Sequence, residues 1–197
     1  MSIKIGIAGP VGSGKTSIIE SLTNMLKQTH KIGIVTNDIY TTEDANYLKQ
    51  HLDINDENII GVETGGCPHT AIRDDISMNL KACETLEKES SPDVIFVESG
   101  GDNLSATFSY ELIDYYMYVI DVAQGGDIPR KKGAGLLFSD LLVINKTDLS
   151  PYVGVDLEVM KQDVKDNRNS KPYLFISKKD TDSLEAMKSW VLALLET

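Results

Sequence analysis

Seven short runs of aliphatic and β-branched residues punctuate the chain: Ile3 to Ala8, Ile32 to Thr36, Ile59 to Val62, Val94 to Glu98, Met117 to Val122, Leu141 to Asn145 and Tyr173 to Ser177. Most are apolar throughout rather than alternating with polar residues, the signature of strands covered on both faces, as in a parallel sheet flanked by helices. Between them the apolar positions change to helical spacing. Ile18, Ile19, Leu22, Met25 and Leu26 share one helical face, and so do Ile72, Ile76, Leu80, Cys83 and Leu86. The last segment repeats the pattern with Leu184, Met187, Trp190, Val191, Leu194 and Leu195, which predicts a helix docked on the sheet. The alternation predicts a three-layer α/β sandwich around a mostly parallel sheet of about seven strands, with functional groups in loops at the carboxyl ends of strands.

At 197 residues, without repeats or a linker, the chain is expected to form one domain, 1–197. A formal charge of −11 opposes nucleic acid, and the longest basic run, Arg130-Lys131-Lys132, reads as a solvated loop. Two cysteines, Cys67 and Cys83, form neither a CxxC pair nor a disulfide framework, so reduced thiols are expected. The first strand begins almost at the amino terminus, which leaves no room for a signal peptide, and no apolar run is long enough to span a bilayer. A cytoplasmic protein that binds no membrane is expected.

The chemistry begins directly after the first strand, with Gly9-Pro10-Val11-Gly12-Ser13-Gly14-Lys15-Thr16. A glycine-rich turn between a strand and a helix lets backbone N–H groups face a phosphate, places Lys15 toward its β and γ oxygens and offers the Thr16 hydroxyl to Mg²⁺. This makes the expected sandwich a P-loop nucleotide hydrolase. Asn145-Lys146-Thr147-Asp148 ends the sixth run. A carboxylate at Asp148 can accept from guanine N1–H and its exocyclic amine together, a pair that adenine lacks, so GTP is the expected nucleotide. Lys146 should lie along the base and Asn145 should tie the loop to its neighbours. Ser177 and Lys178, after the last run, are a candidate second wall of the base pocket.

Carboxylates that could serve Mg²⁺ and the attacking water follow the second, third and fourth runs: Asp38, Glu63, and Glu98 with Asp102, of which Asp38 and Glu63 are the first choices. Each could instead cap a helix or stay solvated. Cys67 and His69 flank Pro68 after two glycines. They could be a packed thiol and an exposed imidazole. As metal ligands they are too few for a closed site in one chain, whereas a symmetric dimer would supply S₂N₂, suited to tetrahedral Zn²⁺ or square-planar Ni²⁺. Cys83 lies on an apolar face and reads as core, while His30 and His51 have no partner nearby in sequence and read as surface residues.

Together, the phosphate loop, Thr36-Asn-Asp-Ile-Tyr-Thr41, Val62-Glu-Thr-Gly-Gly-Cys-Pro-His-Thr70, Val97-Glu-Ser-Gly-Gly-Asp-Asn103 and Asn145-Lys-Thr-Asp148 closely resemble the UreG family of urease accessory proteins, along the whole chain. The resemblance implies a SIMIBI-class GTPase that binds GTP and Ni²⁺, dimerises through Cys-Pro-His, and delivers nickel to apo-urease with UreF and UreD (also called UreH), receiving it from UreE. It implies Cys67 and His69 as nickel ligands, Lys15, Thr16, Asp38 and Glu63 around the triphosphate, and Thr16 and Asp38 at Mg²⁺. The chain departs from relatives that carry a His-rich amino-terminal extension, and Ser177-Lys178-Lys179-Asp180 differs from the Ala-Lys type of base-wall loop. Alternative readings are a nickel-insertion GTPase for hydrogenase and a GTP-binding switch or scaffold without significant turnover. A small-molecule kinase would leave Asn145-Lys-Thr-Asp148 without a purpose.

Overall fold

In the computed structural model, which describes residues 2–38, 41–66, 69–101 and 107–196, the runs form one parallel seven-stranded sheet in the order β3-β2-β4-β1-β5-β6-β7. The strands are β1 (Ile3–Ala8), β2 (Ile32–Asp38), β3 (Ile59–Glu63), β4 (Val94–Glu98), β5 (Tyr115–Asp121), β6 (Leu141–Asn145) and β7 (Tyr173–Phe175). Three match the expected runs at both ends. β7 is shorter than its run because Ser177 turns away to bond the neighbouring loop.

The apolar continuity of the strands has a direct cause in side-chain alternation. Along β5, Tyr116, Tyr118 and Ile120 enter one core cluster while Met117 and Val119 enter the other, and β4 and β6 divide in the same way. Helices α1 (Lys15–Leu26), α2 (Glu43–His51) and α8 (Thr181–Leu195) cover one face. On the other lie α3 (Ser77–Glu89), the short α4 (Ile128–Lys131), α5 (Ala134–Phe138) and α6 (Ser150–Val153), and α7 (Leu157–Arg168). Met187 and Val191 anchor α8 as the pattern predicted. Among the described residues, no helix is long and apolar enough to cross a membrane.

Three local expectations change. Ile72 to Leu86 is not one helix: a π-turn over Thr70–Asp74 ends at Asp75, and α3 starts anew at Ser77. Ile72, Ile76, Cys83 and Leu86 are nonetheless all buried, because the break preserves which side faces the sheet. Burial pushes the Cys83 thiol up to about 11, which makes it an inert core group. Arg130 and Lys131 sit in a helix rather than a loop, paired with Asp163 and Asp127. The two histidines do have partners: His51 stacks on Tyr47 at 4.0 Å, and half-buried His30 bonds the Thr29 hydroxyl.

Arg168, a buried cation with no motif to announce it, donates to the carbonyls of Leu136, Ser139 and Pro172 and to the Ser139 hydroxyl. It ties the approaches to β6 and β7 together, and burial lowers its pKa to about 10.

The topology fixes where a ligand can sit. β1 leads on to β2 on one side, whereas its other neighbour, β5, leads on to β6 on the opposite side, so the loops leaving the carboxyl ends of β1 and β5 diverge. The crevice at that switch point is where open parallel sheets bind ligands.

Candidate functional site

The loop Gly9 to Gly14 leaves β1 at this crevice and ends directly on α1. Gly9 is required by close packing, since a Cβ there would run into the Val119 carbonyl. Gly14 has φ 97°, in the left-handed region, and a Cβ there would meet the Asn145 amide. Gly14 is also the N-cap of α1, with no side-chain cap and no acidic residue in the first turn. The helix therefore presents uncapped N–H groups and the positive end of its dipole to the crevice, which favours an anion. The buried Ser13 hydroxyl, without a hydrogen-bond partner among the described residues, points to the same need.

A cavity of about 430 Å³ opens here, lined among others by Lys15, Thr16, Asp38, Asp44, Tyr47 and Glu98. Lys15 is buried and reaches the Pro10 carbonyl at 3.4 Å. The Thr16 hydroxyl donates to Glu98 Oε1 at 2.7 Å and approaches Asp44 Oδ1 at 3.4 Å. Glu98 is only 1% exposed, and its Oε2 has no hydrogen-bond partner among the described residues. Burial pushes its carboxyl up to about 7; Lys15 opposes this, and the charges of Asp44 and Asp38 add to it. Asp44 is raised too, by burial first, with Lys15 opposing and Asp38 adding.

Of the two carboxylates put first, Asp38 lines the cavity and accepts from the Thr41 hydroxyl. Glu63 is exposed at the end of β3, in register with Asp38 and outside the cavity lining. The Thr16 partner is Glu98, a residue of central β4, whereas Glu63 belongs to an edge strand. Asp44 was missed because an acid in the first turn of a helix is ordinarily a dipole complement. Asp102 and Cys67 lie outside the described residues. His69 opens the π-turn at Thr70–Asp74. Among the described residues, no three His, Cys, Asp or Glu side chains are grouped to hold a metal ion.

The side expected to take the base is built from β6 and the loop after β7. Asn145 donates to the Ser13 carbonyl at 2.9 Å, fastening this loop to the phosphate loop as expected. Lys146 reaches the Gly12 carbonyl and forms an ion pair with Asp121 at 3.0 Å. Asp121, 2% exposed, accepts from the N–H groups of Ala123 and Gln124, an anchor that no motif marks. Asp148 accepts from the Ser177 hydroxyl at 2.8 Å and pairs with Lys179 at 2.9 Å. Lys179 and then Ser177 hold the Asp148 carboxyl below the usual carboxylate range. Ser177 thus stands beside Asp148. The Lys178 side chain does not: it turns to Glu20 on α1 at 3.1 Å, and Lys179 takes the place beside Asp148.

Residues 3–175 match the family model described as CobW/HypB/UreG, nucleotide-binding domain. Over 195 residues the chain is 74% identical to the urease accessory protein UreG of Aliarcobacter butzleri (strain RM4018), covering 99% of this chain and 100% of that protein. The chain belongs to the UreG family. The UreG of Lysinibacillus sphaericus (strain C3-41) is 56% identical over 190 residues, with 96% of this chain and 91% of the relative covered. Among solved structures, HypB from Helicobacter pylori in complex with nickel superimposes with a TM-score of 0.82 at 24% identity, covering 99% of this chain and 87% of HypB. Hydrogenase maturation factor HypB from Archaeoglobus fulgidus gives 0.76, also at 24% identity, over 98% of this chain and 90% of that one. At that identity the likeness establishes that this UreG-family chain has the P-loop sandwich fold.

Proposed function

We propose that this chain, as one GTPase domain, hydrolyses GTP and carries Ni²⁺ as cargo to apo-urease during assembly of its metal centre. The observation that carries the nucleotide half is the convergence of an uncapped helix N-terminus, Lys15 and the Thr16–Glu98 pair in one crevice, with Asp148 held anionic beside it. The nickel and urease half rests on the 74% identity to a urease accessory protein, against 24% to HypB, which favours urease over hydrogenase.

In this reading the N–H groups of the phosphate loop and Lys15 bind the β- and γ-phosphates, and Asp148 selects guanine. Mg²⁺ fits the donor set, because a hydroxyl and carboxylates are hard oxygen ligands and Glu98 Oε2 is buried without a partner among the described residues. It would be held by Thr16 and Asp38, with Glu98 and Asp44 close by, and when bound would neutralise charge on the phosphates. Asp38, with Glu63 in register beside it at the neighbouring strand end, orients the attacking water; the water oxygen bonds to the γ-phosphorus as the bond to the bridging oxygen breaks, GDP leaves, and the proton of the water passes to a γ-phosphate oxygen. Two chains, each giving Cys67 and His69, hold nickel in the GTP state, and loss of the γ-phosphate releases it. The same site would accept Zn²⁺ if its geometry relaxed to tetrahedral. Partners are a second copy of the chain, UreF, UreD/UreH, UreE and apo-urease, in the cytoplasm.

Cys67→Ala is expected to abolish nickel-induced dimerisation and to leave GTP-analogue binding unchanged. Light scattering with and without Ni²⁺ checks this, and a dimer that forms as readily in the variant sinks the shared-metal model.

A further inference from the structure

Asn79 lies on the buried face of α3 with Ala82, Cys83 and Leu86, and is 0% exposed. A lone amide in such a place would be a defect. Its partner is Asn37 on β2, 1% exposed. The two side chains bond reciprocally: Asn37 Nδ2 donates to Asn79 Oδ1 at 2.9 Å, and Asn79 Nδ2 donates to Asn37 Oδ1 at 2.8 Å. The remaining proton of each amide points outward. Asn37 donates to the Glu98 carbonyl at 2.9 Å, and Asn79 donates to the Ala71 carbonyl at 2.9 Å. All four amide protons are therefore used, so the pair has one geometry in which it is complete.

What the pair connects gives it meaning. At one end are the backbones of Asn37, next to Asp38, and Glu98, the partner of the Thr16 hydroxyl. At the other end is Ala71, two residues beyond His69 in the π-turn. That turn is also held by the Ser109 N–H on the Ile72 carbonyl, on the far side of the 102–106 segment. A parallel strap joins Asp38 to the chain before Cys67, since the Thr64 N–H and hydroxyl both donate to the Asp38 carbonyl, at 2.9 and 3.2 Å.

We propose that the Asn37–Asn79 amide pair is the positioning element by which the phosphate side of the crevice sets the backbone that carries His69. It is not a catalytic residue pair and touches neither nucleotide nor metal. A shift of the β2 and β4 ends by the γ-phosphate either drags the Ala71 carbonyl along or leaves buried amide protons without acceptors, so the two ends move together. The inference rests on the GTP and nickel reading above.

The test measures the nickel dissociation constant with GDP and with a non-hydrolysable GTP analogue, in the wild type and in Asn79→Ala. The wild-type ratio is expected to be about tenfold or more, within the usual range of coupling between sites. In Asn79→Ala the ratio falls to near one while GDP affinity stays within about threefold, a result that mere loss of stability would not give. A folded variant that keeps the wild-type ratio overturns the amide pair's role and leaves the GTP and nickel reading standing. A wild type that binds GTP and nickel independently sinks that reading, and the pair's role with it. Should Asn79→Ala fail to fold, hydrogen exchange on the wild type decides: the Asp75 N–H, bonded to the Thr70 carbonyl at 2.8 Å, changes protection between GDP and the analogue if the pair transmits, and equal protection overturns the proposal.

Discussion

Asp148→Asn is expected to weaken GDP and GTP binding by about a hundredfold or more while admitting xanthine nucleotides. The wild-type carboxylate offers two acceptor oxygens to the two adjacent donors of guanine, and an asparagine keeps one acceptor and replaces the other with a donor. That donor faces the guanine amine, another donor, so one hydrogen bond is lost and one contact becomes repulsive. Xanthine carries a carbonyl at that position and suits the amide instead. The neighbours sharpen the effect, because Ser177 and Lys179 donate to the Asp148 oxygens and would lose an anionic acceptor. Isothermal titration with GDP, XDP and ADP checks the prediction. Unchanged GDP affinity would mean that Asp148 does not face the base.

The second large effect belongs to Glu98. Its folded pKa, about 7, stands above the ordinary 4.5, so the folded protein binds a proton there more tightly than the unfolded chain does. The associated stability is fully present below pH 4.5 and is lost as the pH rises through about 7, amounting on the order of 3 kcal/mol across that window. Glu98→Gln keeps the shape and removes the titration. Without Mg²⁺ and nucleotide, the variant is therefore expected to match the wild type near pH 5 and exceed it at pH 8. Urea unfolding across this range reads the difference. With GDP and Mg²⁺ present the order should reverse, because the buried carboxylate then faces a cation that the amide serves poorly. A flat difference between the two proteins from pH 5 to 8 would show that Glu98 is already ionised at low pH.

These two residues illustrate what a sequence can reveal. The Asn145-Lys-Thr-Asp148 motif is legible because it is contiguous and ends a strand. The phosphate loop is legible for the same reason, and the strands are legible because burial on both faces leaves unbroken apolar runs. Glu98 was visible as an acid at a strand end, but its bond to Thr16 depends on strand order: β4 lies beside β1, while β3 lies at the edge. Nothing local encodes that order. Asp44 and Asp121 escaped because each acts on a residue distant in sequence, and each also has an ordinary local excuse as a helix-end or loop charge. Asn79 escaped for a different reason. Period reading counts apolar positions, and a fully satisfied buried amide occupies a core position while looking like a surface residue.

The proposed function makes one requirement: nickel is held by two chains only when the γ-phosphate is in place. The most direct measurement is size-exclusion chromatography of the purified protein with metal analysis of each peak, using Ni²⁺ with a non-hydrolysable GTP analogue, with GDP and with ATP. A dimer carrying about one nickel per two chains in the GTP-analogue sample alone is the predicted result. A metal-free monomer under every condition, or the same nickel-loaded dimer with GDP, would contradict it.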